Sequence, residues 1–128
     1  MIINIQIKDY MFGEEYNNIL NCADLFITTL QQGMRGLGVP SKTYTYMSIH
    51  KPLIAIMESN TEIGHMINEN KLGKCFDSGK SIDISNFIIL LKNNDWLYNE
   101  YSSNVKKVFN DNYERKVVTK NFYKELIY

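Results

Sequence analysis

A chain of 128 residues has room for one domain or a part of one. Its composition, 45% hydrophobic, 12% aromatic and 22% charged, is that of a globular protein and excludes wholesale disorder. Fourteen cationic side chains balance fourteen anionic ones, so the formal net charge is +0. That balance argues against nucleic-acid binding through bulk phosphate attraction, and against a polybasic membrane arm. The two arginines, Arg35 and Arg115, are too few for a cluster that grips phosphates in bidentate fashion. Cys22 and Cys75 lack CxxC spacing and a nearby histidine cluster, so two buried thiols are expected rather than a zinc or redox motif. No apolar run approaches the ~20 residues of a spanning helix, and no basic-then-apolar signal opens the chain. A soluble, cytoplasmic protein is expected.

In chain order, Ile2 to Ile7 alternates as a strand would, with Ile3, Ile5 and Ile7 on one face. Residues 14–22 carry Tyr16, Ile19 and Leu20 at helical spacing. Ala23 to Leu30 is apolar and β-prone, the pattern of a strand buried on both faces. A loop with Gly33, Gly36 and Gly38 follows, and Pro40-Ser41-Lys42 opens a short helix running to about Ile49. Pro52 to Met57 is a second buried-type strand. Ser59-Asn60-Thr61-Glu62 has capping-box spacing before a helix with Ile63, Met66 and Ile67 on one face. Gly73 is placed to stop that helix, and Lys74 to Asp77 to form a short strand. From Asp83, read as an N-cap, Ile84, Phe87, Ile88 and Leu91 repeat at helical positions. Two more helices carry Leu97, Tyr101, Val105 and Val108, then Val118, Phe122 and Leu126. Strands alternating with helices predict an α/β fold, a Rossmann-like parallel sheet flanked by helices.

Few residues carry chemistry by themselves. Gly73 to Ser81 superficially resembles a phosphate-binding P-loop, but five residues separate its glycines and the motif needs four. The glycines of the 31–40 loop lie between a buried strand and a helix start, where parallel sheets place ligands and where free amides suit a phosphate. A merely flexible loop would look the same. His50 and His65 are isolated and read as structural; Tyr44, Tyr46 and Met47 read as core. Glu14, Glu15, Glu62 and Glu125 sit near helix ends, where dipole compensation explains them.

The run Ala23-Asp24-Leu25-Phe26-Ile27 followed by Val39-Pro40-Ser41-Lys42, Tyr46-Met47, Lys51-Pro52 and Leu53-Ile54-Ala55 resembles the C-terminal, nucleotide-sugar-binding domain of family 4 glycosyltransferases of the GT-B fold. Glu62-Ile63, Asn68 to Gly73, and the tail Phe109 to Tyr128 resemble that domain's next helix, turn and closing helices. The resemblance implies that residues 1–128 are a single, incomplete copy of the domain, lacking its first two strands and the whole acceptor domain. In the family's strand order, 3-2-1-4-5-6, Ile2–Ile7 becomes strand 3 and Asp24–Leu30 strand 4, which leaves the latter with a naked edge unless Ile2–Ile7 moves beside it.

What the resemblance implies for function is transfer of a sugar from a nucleotide diphosphate sugar to a glycan or lipid-linked acceptor in surface-polysaccharide synthesis. It implies retaining, metal-independent chemistry, with no cofactor. Carried over residue by residue, Gly38, Val39 and Ser41 occupy the loop and helix start whose amides approach the donor diphosphate, and Lys42 the lysine beside it. Thr45 stands where many relatives have a glutamate for the donor ribose, and Leu37 falls at the family's other glutamate. His50 replaces the glycine usual before Lys51-Pro52. No catalytic residue and no metal ligand carries over. The isolated chain is therefore expected to be inactive, paired with an acceptor-domain half or a partner subunit, or self-associated through the exposed edge. Peripheral membrane association through a lipid-linked acceptor fits the same reading, and nucleic acid does not. Two other readings are a non-catalytic donor-binding subunit of a split enzyme, and an inactive remnant serving as an interaction domain.

Overall fold

The structure, a computed structural model, describes residues 4–127. Three four-residue strands, β1 (Phe26–Thr29), β2 (Leu53–Ile56) and β3 (Gly73–Phe76), pair in parallel in the order β1-β2-β3. The register sets Phe26 against Leu53 and Leu53 against Gly73. Parallel neighbours need crossovers, and these are α2 (Lys42–Met47) between β1 and β2 and α3 (Glu62–Glu69) between β2 and β3. Helix α1 (Gly13–Cys22) precedes the sheet. Helices α4 (Ser81–Lys92) and α5 (Asp95–Val108), a π-helical turn (Phe109–Tyr113) and α6 (Arg115–Ile127) follow it. This is the expected α/β fold, a Rossmann-like parallel sheet flanked by helices.

Alternation along β2 builds two apolar layers, because successive side chains leave opposite faces of a strand. Leu53 and Ala55 join Phe26, Leu20, Met47, Ile63 and Ile67 on one face; Ile54 meets Phe76, Phe87 and Leu91 on the other. Helix α5 spans both layers: Leu97, Tyr98 and Tyr101 border the second, Val105 lies fully buried in the first. Tyr98 also donates its hydroxyl proton to the carbonyl of Asp24 at 2.6 Å, tying α5 to the approach to β1.

Several expectations need correction. The N-terminal strand is not formed over Asn4–Ile7: no ladder holds it, and Ile5 and Ile7 are 64% and 95% exposed. Alternation alone does not make a strand; a ladder must also form, and Asn4–Ile7 does not pair even with the open edge of β1. Ile2 and Ile3 lie outside the described residues. The cap of α3 is Thr61 and not Ser59: its hydroxyl accepts from the amide of Gly64 at 3.1 Å while donating to the carbonyl of Glu58 at 2.7 Å. Asp83 lies inside the first turn of α4, beyond an N-cap at Lys80. Helix α3 stops before Gly73, at Asn70, and Lys71 takes the left-handed turn at φ 51°. Gly73 instead begins β3, where a Cβ would meet the Leu53 carbonyl oxygen at 1.7 Å. Cys22, at the end of α1, is exposed, and Cys75 is half-buried with its thiol on the Met57 carbonyl at 3.3 Å. Both are free.

Candidate functional site

At the carboxyl ends of β1 and β2 the chain leaves the sheet through two loops, 30–41 and 57–61, and a cleft of about 420 Å³ opens between them. That is where open parallel sheets place ligands, because diverging loops and helix starts leave amides unpaired there. Gly36, Leu37, Gly38 and Val39 form one wall, with Arg35 at its end; Asn60, Thr61 and Glu62 form the other; Leu30, Met57 and Ile63 make the floor. Gly33 and Gly36 adopt φ 82° and 74°, left-handed values that let the loop turn twice over a short span.

A buried hydroxyl pair holds the frame of this loop. Thr28, on β1 before it, and Thr43, on α2 after it, sit with their oxygens 2.8 Å apart. The rest of α2 is anchored by packing. Met47 is fully buried, and Tyr46 stacks on Phe26 with centroids 4.5 Å apart and planes within 3°. These side chains are core, as their spacing predicts.

The carried-over residues divide. Gly38 and Val39 line the cleft, whereas Ser41, Lys42 and Thr45 are exposed on and beside α2, outside the lining. Leu37 lines the cleft with its side chain 76% exposed.

Two cleft residues escaped the sequence reading, Arg35 and Glu62. Glu62 had a sufficient explanation at a helix start, and only the fold brings it opposite Gly38. Its carboxylate also faces a phenol pair. Tyr44 and Tyr113 have ring centroids 4.9 Å apart, and Tyr113 stands on the π-helical turn with its hydroxyl 3.4 Å from Met66 Sδ. Burial first, then the charge of Glu62, pushes both phenols above their usual range. The cleft thus offers one guanidinium, one carboxylate and the backbone amides of Gly38 and Val39, that of Leu37 being bonded to the Met34 carbonyl. Such a set suits an anion that also carries hydroxyl groups.

The remaining titratable groups lie elsewhere. His65 pairs with Glu69 at 3.1 Å on the exposed face of α3. His50, after α2, adopts φ 61° and lies 6.1 Å from the ring of Phe109. Burial and then the nearby Lys106 lower its pKa. Among the described residues no group of three His, Cys, Asp or Glu side chains could hold a metal ion, and no helix is long and apolar enough to cross a membrane.

No family model and no solved structure matches the chain. Over 59 residues, 46% of this chain, it is 46% identical to a probable glycosyltransferase of Pseudomonas aeruginosa, WbjE. That segment is 15% of the relative's length, so the chain shares with this glycosyltransferase one stretch of sequence.

Proposed function

We propose that the chain is the donor-binding part of a glycosyltransferase, a piece of the nucleotide-sugar-binding half of a GT-B enzyme. The observation that carries this reading is the cleft at the carboxyl ends of β1 and β2, walled by the Gly36–Val39 loop, in a chain resembling a probable glycosyltransferase. The donor diphosphate would lie on the amides of Gly38 and Val39 with Arg35 as counter-charge, and Glu62 would accept hydrogen bonds from donor hydroxyls. Holding the leaving diphosphate in a preorganised set of dipoles and one cation is the chief contribution such a half-site makes to sugar transfer. Ser41, Lys42 and Thr45 then act from the rim or through the helix start, since they do not line the cleft.

On this reading residues 1–128 form one incomplete domain. β1 is an edge strand of the described sheet. Its amides at Phe26 and Leu30 bond to β2, so those of Ile27 and Thr29 face outward. That edge would be completed by further strands, from the same protein or from a partner subunit, and the acceptor site by another domain acting on a glycan or lipid-linked acceptor in surface-polysaccharide synthesis. A second reading, an inactive remnant kept for interaction, draws on Leu37, an apolar side chain on the cleft wall where the family resemblance places a glutamate.

Amide chemical shifts recorded while titrating UDP and GDP test the proposal. Perturbations confined to 35–39 and 60–63, and weakened by Arg35→Ala, are expected. Absence of binding, or shifts clustered at Lys80 and Ser81, would overturn it. No sugar transfer is expected from the isolated chain, and turnover above a heat-killed control would overturn the assignment as a half-site.

A further inference from the structure

The second apolar layer stops short at β1. Ile27 lies beside Ile54 in the register of the sheet, and both side chains leave the same face. Ile54 is fully buried, whereas Ile27 is 45% exposed, so the cover that shields β2 leaves β1 half bare. A trough of about 590 Å³ runs between the approach to β1 and helices α4 and α5, with Leu25, Ile88 and Tyr98 along it and the exposed Asp24, Lys92 and Asp95 around it. The backbone is bare there as well. The amide of Phe26 bonds to the Pro52 carbonyl, so those of Leu25 and Ile27 on either side of it face outward. An edge that offers hydrogen-bonding groups beside an apolar trough takes an extended chain with apolar side chains at alternate positions. The chain carries such a segment itself. Asn4-Ile5-Gln6-Ile7-Lys8 alternates, pairs with nothing among the described residues, and holds Ile5 and Ile7 in water.

We propose that two copies of the chain exchange these arms, the Asn4–Lys8 segment of each lying antiparallel on β1 of the other. Charge fixes the direction: two carboxylates, Asp24 and Asp95, outnumber Lys92 around the trough at the approach to β1, and Lys8 is the cation seated against them. Lys8 opposite Asp24 sets Ile7 opposite Leu25 and Ile5 opposite Ile27, the residues whose amides face outward. Opposite residues of an antiparallel pair share a face, so both isoleucines fall on the bare side of β1. The arm of the same chain is not the occupant. It reaches β1 through α1, which packs on the first face of the sheet by Leu20, and a strand–helix–strand connection delivers a parallel neighbour. Reciprocal exchange closes at a two-fold dimer. The proposal rests on β1 as the open edge and not on sugar transfer, so nucleotide titration and dimerisation fail independently.

Sedimentation equilibrium of the full chain tests it together with hydrogen exchange. A concentration-dependent dimer is expected, with the amides of Ile5 and Ile7 protected in the dimer and open in the monomer. Ile5→Pro removes one amide from the shared ladder and disturbs no ladder of the monomer, so it should return a folded monomer. Lys8→Glu should weaken the dimer roughly tenfold, one pair being lost at each of two contacts. Lys8→Glu/Asp24→Lys should restore it. A monomer at every concentration, a dimer indifferent to Ile5→Pro, or a charge swap without rescue would overturn the proposal. So would arm amides protected in the monomer, because the arm would then occupy its own edge.

Discussion

The hydroxyl oxygens of Thr28 and Thr43 meet at 2.8 Å inside the first apolar layer, joining the strand before the cleft loop to the helix after it. Both residues are buried, so neither hydroxyl has water to fall back on. Thr43→Val should leave the Thr28 hydroxyl unsatisfied and destabilise the protein by about 1–3 kcal/mol. The double change Thr28→Val/Thr43→Val removes both partners and should recover most of that loss. Denaturant unfolding of the single and double variants measures the coupling, and additive losses would show that the pair does not hold the loop frame.

Gly73→Ala should unfold the chain or destabilise it by about 4 kcal/mol or more, because a Cβ 1.7 Å from the Leu53 carbonyl forces β2 and β3 apart. Gly79→Ala is the informative control. Its φ is 87° but nothing lies within 4 Å of the added carbon, so only backbone strain is incurred, about 1 kcal/mol. Thermal melts of the two variants should differ accordingly.

His50 gives the protein a pH response. Its pKa is lowered in the folded state by burial and by Lys106, so the unfolded chain takes up the proton more readily. Stability should therefore be full above the unfolded value of about 6.5 and decline as pH falls through it towards the lower folded value. His50→Gln should flatten the profile between neutral pH and the onset of carboxylate titration. An unchanged slope in that window would place the effect on another group.

The same residue occupies a left-handed backbone position, φ 61°, which an L side chain adopts at a cost. His50→Gly should stabilise by about 0.5–1 kcal/mol, less whatever the contact with Phe109 contributes. A melting temperature below that of the parent would show the ring contact to be the larger effect.

Glu62→Gln should lower the pKa of Tyr44 and Tyr113, since the carboxylate's charge raises both while their burial is unaffected. Ultraviolet titration of the tyrosinate band reads this directly. Unmoved phenols would mean that Glu62 faces away from them and from the cleft wall assigned to it.

How much of this was legible beforehand depends on the range of the interactions involved. The strands within Ala23–Leu30 and Pro52–Met57 and the helix carrying Ile84, Phe87, Ile88 and Leu91 were readable, because apolar runs and apolar periodicity mark segments that must be buried. The fold class followed from their alternation. Asn4–Ile7 has equally clear alternation and forms no strand, since a ladder depends on an edge elsewhere in the molecule. Gly73 looked like a helix stop; its reason lies across the sheet, at Leu53. The 31–40 loop could be singled out from its glycines and its place after a strand, and its Gly38 and Val39 line the cleft. Arg35 and Glu62 were not foreseen: twenty-seven positions separate them, and only the parallel crossover through α2 sets their loops on one cleft. Local sequence determined which segments would be apolar, helical or glycine-bearing. Which of those segments face one another was decided by the order of strands in the sheet, a property no short stretch of the chain contains.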